Sequence, residues 1–236
     1  MKKYLKNKIL SFTILFIFVF SNCVNSSQKT KELKEEKKEL NTKIEKIQEI
    51  KKEFQEGDII FQISLSGQGK ALKLATKSNY THCGIIFVMK NEFFVYEAIQ
   101  PVQFTPLKTW IDRGDGGHFV VKRLKNSTKI LTKNILEKMK ENGNKMKGKN
   151  YDIHFGWSDD KIYCSELVWK IYKSATNIEV GKIQKLKDFD LTSQEVKQKM
   201  KERYGNYFPL EENVISPISI FKSDKLEEVM VDYPKK

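Results

Sequence analysis

His82-Cys83-Gly84-Ile85-Ile86-Phe87-Val88-Met89-Lys90-Asn91-Glu92-Phe93-Phe94-Val95-Tyr96-Glu97-Ala98 holds two apolar runs, Cys83 to Val88 and Phe93 to Ala98. The polar break Lys90-Asn91-Glu92 lies between them, and runs rich in β-branched and aromatic residues around such a break read as a β-hairpin. With a two-residue turn at Lys90-Asn91, residues whose numbers sum to 181 stand opposite, so Gly84 faces Glu97 and His82 faces Ile99. His82 and Glu97 are then diagonal neighbours on one sheet face, about 7–8 Å apart at the backbone. Gly84 leaves room between them. A three-residue turn would put them on opposite faces.

Upstream, Gly57-Asp58 punctuates the chain and Ile59 to Ile63 reads as a strand that opens the globular domain, 57–236. Gly67-x-Gly69 lacks the Lys-Ser/Thr of a phosphate loop and reads as part of a Ser/Gly loop, 64–69, before a helix from Lys70 to Ser78. Downstream come a strand Phe119-Val120-Val121 and an amphipathic helix from about Lys129 to Met146. An aromatic and acidic loop, Tyr151 to Asp160, precedes a helix from Tyr163 to Ala175, and a further helix lies near Gln194 to Arg203. The fold class is therefore α+β, an antiparallel sheet packed against helices.

The chain has 236 residues, with 43 Lys and Arg against 30 Asp and Glu. The excess is local: residues 122–149 carry ten basic and two acidic side chains. That pattern argues against a nucleic-acid-coating surface and for a local contact with an anionic surface. Residues 1–22 read as a signal peptide: Lys2, Lys3, Lys6 and Lys8 precede an apolar run from Ile9 to Phe20 that is shorter than the ~20 residues a membrane span needs. Phe20-Ser21-Asn22-Cys23 resembles a lipoprotein box, with Asn22 and Phe20 departing from its usual residues, and marks Cys23 for lipidation. The alternative is an ordinary secretory leader cleaved nearby, or an uncleaved anchor with Cys23 incidental. Both export the protein, and lipid on Cys23 would place it on a membrane of the bacterial cell envelope. Residues 23–56 form a charged spacer. Leu33, Leu40, Ile47 and Phe54 recur every seventh position there, which reads as one long solvated helix or a short coiled coil.

Cys23, Cys83 and Cys164 have no zinc-site spacing and form no disulfide framework. Asp152, His154, Asp159 and Asp160 match no metal-ligand pattern and read as a hydrated loop. No metal or other cofactor is called for. Cys164 opens a helix whose apolar stripe is Leu167, Val168, Ile171 and Ala175. A thiol there meets the positive end of the helix dipole and unpaired N–H groups, which favour thiolate and also hold an oxyanion. Of His82, His118 and His154, His82 is best placed to act as its base, and Glu97 to orient that base. The residues alone leave Cys164 either such a nucleophile or a buried core thiol. Cys83 alternates with Ile85 and Phe87 and reads as core, and His118 and His154 as surface or structural groups.

Six segments carry a family resemblance: Gly57-Asp58-Ile59-Ile60-Phe61, Ser78-Asn79-Tyr80-Thr81-His82-Cys83-Gly84-Ile85, Val95-Tyr96-Glu97-Ala98, Thr105-Pro106-Leu107 with Trp110-Ile111, Tyr151-Asp152, and Tyr163-Cys164-Ser165-Glu166-Leu167-Val168. In this order they resemble the YiiX/YebB-like permuted papain-type cysteine hydrolases, circularly permuted relatives of NlpC-type peptidases. The resemblance covers about Gly57 to Ala175. It implies a papain-like fold with Cys164 as nucleophile, His82 as general base and Glu97 as its orienting acid. Where the family often has Val, this chain has Cys83.

Three functions follow as expectations. One is an exported amidase acting on amide or related acyl bonds of envelope substrates such as peptidoglycan peptides. Another is a lipid-directed cysteine acyltransferase or phospholipase that uses 122–149 against anionic headgroups. The third is a non-catalytic, membrane-tethered binding module. The anchoring expectation has its own test: Cys23→Ser is expected to move the protein from the detergent phase to the aqueous phase or leave its leader uncleaved. An intact mass with a mature start other than Cys23 and no added lipid would refute it.

Overall fold

The computed structural model describes residues 54–232, together with helical backbone at 29–31, 33–35, 37–38 and 41–42. The expected signal peptide, Cys23 and two of the four heptad positions, Leu40 and Ile47, lie outside the described residues, while Leu33 is helical and exposed. The chain divides into two compact units, Met1–Lys52 and Glu53–Lys236. Phe54, assigned to the spacer seam by its spacing, is only 6% exposed and packs edge-on against Phe93 and at a tilt against Phe119, so it is a core residue of the second unit. No helix among the described residues is long and apolar enough to cross a membrane.

The second unit is built on a six-stranded antiparallel sheet of order β10-β5-β1-β2-β3-β4. Its strands are β1 (Ile59–Gln62), β2 (His82–Met89), β3 (Glu92–Glu97), β4 (Gln103–Pro106), β5 (Phe119–Leu124) and β10 (Leu226–Asp232). The β2–β3 hairpin has the expected register: Met89 pairs with Glu92 and Ile85 with Tyr96. Lys90 and Asn91 both adopt positive φ, 51° and 62°, the backbone of a two-residue turn whose twist matches that of its strands. Gly84 is required between them, because a Cβ there would lie 2.4 Å from Val95 Cγ1 and 3.3 Å from Glu97 Cβ.

Alternation along β2 sorts its side chains. Cys83, Ile85 and Phe87 join the main apolar cluster with Leu167, Val168 and Ile171 of the Cys164 helix. The other face buries Ile60, Ile86, Val95 and Trp110. The flanking helices are α1 (Gly67–Thr76), α2 (Leu107–Arg113), α3 (Ser127–Ile130), α4 (Lys133–Asn144), α5 (Cys164–Thr176), α6 (Gln194–Tyr204) and α7 (Pro217–Phe221). Short pairings β6 (Asn150–Tyr151) with β7 (Lys161–Ile162), and β8 (Gln184–Lys185) with β9 (Asn213–Val214), close the loops.

Three local expectations change. Gly67 and Gly69 belong to the first turn of α1 and not to a loop, because the Ser66 hydroxyl accepts from Gly69 N and caps the helix there. The single helix expected at 129–146 is two, because Thr132 takes extended backbone and its hydroxyl caps α4. The basic stretch 122–149 is partly engaged within the fold. Arg123 makes a two-pronged ion pair with buried Asp58 at 2.7 and 2.8 Å, Lys140 pairs with Glu56 at 2.5 Å, and Lys122 lies 4.1 Å from the Phe221 ring centroid.

Gly84→Ala is expected to destabilise the domain by about 1–3 kcal/mol through overpacking against Val95. Chemical denaturation checks this, and an unchanged midpoint would show that β3 moves aside without strain.

Candidate active site

Glu97 ends β3 with its carboxylate fully buried, at 0% exposure, and four side chains donate to it. His82 Nε2 lies 2.6 Å from Oε2, Trp110 Nε1 2.9 Å and Arg113 Nη2 2.5 Å, while the Thr105 hydroxyl donates to Oε1 at 2.6 Å. The diagonal placement of His82 and Glu97 on one sheet face follows from the two-residue turn. Thr105 arrives on β4, which pairs with β3. Trp110 and Arg113, three residues apart, reach the carboxylate from α2. His82 also stacks on Trp110 with ring centroids 6.0 Å apart. Burial opposes ionisation of Glu97, but His82 and Arg113 outweigh it and bring its pKa down to about 2.

With Nε2 held by Glu97, the other ring nitrogen of His82 is left for the thiol of Cys164. The ring and the thiol are electrostatically coupled. Burial disfavours the charged ring, but the Cys164 thiolate and then Glu97 overcome this and raise His82 from 6.5 to about 9. Cys164 is only 2% exposed, and its pKa is driven well below the ordinary thiol value. A hydrogen bond from the Cys83 thiol is the largest cause. It acts against burial and is helped by the His82 charge, a His82 hydrogen bond and the Cys83 backbone N–H. Cys83 itself is pushed up by burial and by the neighbouring charges. It is core, as expected, and it also serves Cys164 as a donor, which the alternation argument did not anticipate.

The start of α5 is fixed by Glu166, which accepts from Tyr163 N at 3.4 Å and pairs with Lys170 at 2.7 Å. Burial raises Glu166 to about 7 in spite of Lys170. Downstream residues complete the site: Tyr163 OH accepts from Ile215 N at 3.0 Å, and Ser165 Oγ donates to Ile215 O at 2.7 Å.

Two spaces meet at the Cys164–His82 pair. One, about 70 Å³, is lined by Cys164 and by apolar side chains such as Ala71, Leu72, Leu186, Phe189 and Met200, with Lys199 and Arg203 also in its wall. The other, about 440 Å³, is lined by His82 with Ser64, Thr81, Gln100 and Arg113. Gln68 and Tyr151 line both. Burial, and then the charge of a Cys164 thiolate, push the Tyr151 phenol up.

The remaining candidates stand elsewhere. His118 is buried, with Nδ1 2.6 Å from Asp232 O. His154 is half-exposed, with Nε2 3.1 Å from Arg203 O. Asp152 closes its own loop by accepting from His154 N and Gly156 N at 2.8 and 2.9 Å, and among the described residues no three His, Cys, Asp or Glu side chains gather as metal ligands.

The family described as the permuted papain-like amidase enzyme, YaeF/YiiX, C92 family, matches residues 53–230. The chain belongs to that family. The protein YiiX of Escherichia coli strain K12, itself described as uncharacterized, is 46% identical over 180 residues, covering 76% of this chain and 88% of its own. A crystal structure titled metalloprotein yiiX, from Escherichia coli O157:H7, matches with a TM-score of 0.74 at 46% identity, covering 77% of this chain and 99% of that one. The resemblance drawn from the six segments is thereby shown, and it extends past residue 175 into the segment that walls the apolar cavity.

Since His82 in the folded state titrates above its ordinary 6.5, its ion pairs contribute stability that is complete below pH 6.5 and lost as the pH rises through about 9. Cys164→Ser removes the largest effect that raises it. The His82 titration, followed by its ring proton resonances, is expected to move from about 9 toward 6.5 in that variant. An unmoved titration would refute the coupling of ring and thiolate.

Proposed function

We propose that the protein is an exported thiol hydrolase that cleaves amide or related acyl bonds, with Cys164 as nucleophile, His82 as acid–base catalyst and Glu97 as the group that orients His82. Family membership supports the papain-like amidase class. The observation that carries the residue assignment is the continuous chain from Cys164 through His82 to the buried Glu97 carboxylate. The basic and apolar leader and Cys23 support a lipid-anchored envelope location.

The geometry supports the following chemistry. The Cys164 thiolate attacks the carbonyl carbon, and the oxyanion is held by N–H groups at the start of α5. The His82 imidazolium protonates the departing amine, leaving a thioester on Cys164. Neutral His82 then takes a proton from water, which attacks the thioester and releases the acid. His82 gives its proton to the leaving group, so that group belongs in the larger space on the His82 side, whose wall includes Ser64, Thr81, Gln100 and Arg113, and the acyl portion in the apolar space on the Cys164 side.

The size of the apolar space bears on the substrate. A cavity of about 150 Å³ holds benzene, so about 70 Å³ suits a short aliphatic group and not a fatty acyl chain. This favours an amide of a small acyl unit with a polar amine, as in envelope peptides. Its apolar wall with Lys199 and Arg203 is what supports the second reading, a lipid acyl donor. One relative is titled a metalloprotein. The described residues of this chain gather no set of metal ligands, and the steps above run through side chains and backbone alone.

Iodoacetamide at pH 6 is expected to modify Cys164 much faster than Cys83, and His82→Ala to slow that labelling toward the rate of an ordinary thiol. Exposure to an envelope extract is expected to leave an acyl adduct on Cys164, whose mass identifies the acyl unit. His82→Ala should reduce turnover by about 10²–10⁴-fold and Glu97→Gln by less, since Glu97 moves no proton. Labelling of Cys164 that ignores His82 would overturn the enzyme reading and leave the tethered binding module.

A further inference from the structure

Tyr151 stands between the two spaces and lines the smaller one together with Cys164. A phenol has one proton, and what it can do for the sulfur depends on where that proton points. The Tyr151 oxygen lies 2.7 Å from Gln68 Nε2, and Gln68 Oε1 lies 2.9 Å from Arg203 Nη2. A guanidinium has only donors, so the group facing Arg203 must be the amide oxygen, and the group facing Tyr151 must be the amide NH₂. The amide therefore donates to the phenol oxygen, and the phenol proton is left to point away from Gln68, toward Cys164. Arg203 is itself steadied over the Phe155 ring, 4.9 Å from its centroid. This order of bonds spans α6, α1 and β6.

We propose that Arg203 and Gln68 are positioning residues that fix Tyr151 as a hydrogen-bond donor to the Cys164 thiolate and to the oxyanion that forms beside it. The proposal rests on the reading of Cys164 as a nucleophilic thiolate. Without Arg203 the Gln68 amide is free to turn its oxygen toward Tyr151. The phenol proton would then go to Gln68, and the sulfur would lose a donor while keeping those from His82 and Cys83.

The test is the iodoacetamide labelling rate of Cys164, read on the full chain in two backgrounds at a pH below the wild-type labelling midpoint, where the rate follows the thiolate fraction. Gln68→Met and Arg203→Met are each expected to reduce the rate by about tenfold, the effect of about one hydrogen bond to a charged group. Arg203→Lys, which still only donates, should restore most of it. In a Tyr151→Phe background, itself about tenfold slower, neither Gln68→Met nor Arg203→Met should slow labelling further, because the proton they direct is gone. A purely structural role predicts equal losses in both backgrounds, and that result would overturn the proposal. So would wild-type rates in Gln68→Met and Arg203→Met. A wild-type Cys164 that labels at pH 6 no faster than an ordinary thiol would instead refute the nucleophile reading itself.

Discussion

A carboxylate removed from water must have its charge and its lone pairs satisfied, and the end of β3 is organised around that requirement. Leaving Glu97 ionised in the sheet without partners would cost several kcal/mol. Its four donors come from three elements: His82 at the start of β2, Thr105 on β4, and Trp110 and Arg113 one turn apart on α2. The position of α2 over the sheet is fixed by this need as much as by the burial of Trp110. Removing one donor leaves a buried lone pair as well as a lost bond, so the four are interdependent.

Charge balance extends the argument to the thiol. Glu97 and a Cys164 thiolate supply two negative charges, and Arg113 and the His82 imidazolium supply two positive ones. The group is neutral as a whole, which is the condition under which charges are tolerated away from solvent. Arg113 alone would neutralise Glu97 and leave His82 free to lose its proton. Because the thiolate is also present, the imidazolium is retained, and burial's preference for the uncharged ring is overridden. Cys83 contributes without charge. It is a neutral donor whose pKa burial raises, so it keeps its proton and directs it to the neighbouring sulfur.

Much of this was legible in the sequence because it depended on local geometry. The Lys90-Asn91 turn fixes the register, the register fixes which residues share a face, and so His82 and Glu97 are paired by counting. The thiol at the head of an apolar-striped helix was equally plain. What remained hidden depends on contacts distant in sequence. Trp110 and Arg113 follow a proline at the first boundary of a short helix, and nothing local indicates that they point to Glu97. Gln68 was assigned to a loop because its flanking glycines suggested one, although Ser66 caps a helix there. Strand β10, Leu226–Asp232, has an edge position with two exposed glutamates and lacks the clean alternation of a central strand. Phe54 kept the heptad spacing of the spacer and yet packs against Phe93, so spacing alone misassigned it.

The two spaces at the site differ in a way that the order of proton transfers makes meaningful. Acid–base catalysis by one imidazole requires the leaving group and the later attacking water to approach the same ring nitrogen in turn, and so from the same side. In the proposed mechanism the larger space beside His82 suits that double use, since it has room to release an amine and admit water. The smaller apolar space beside Cys164 has no such duty. It need only hold the acyl portion while the thioester lasts, and a dry wall there keeps water from reaching the carbonyl except by way of His82. The partition between them is the Gln68–Tyr151 hydrogen bond, so the residues that separate the spaces are also those proposed to direct a proton at the sulfur.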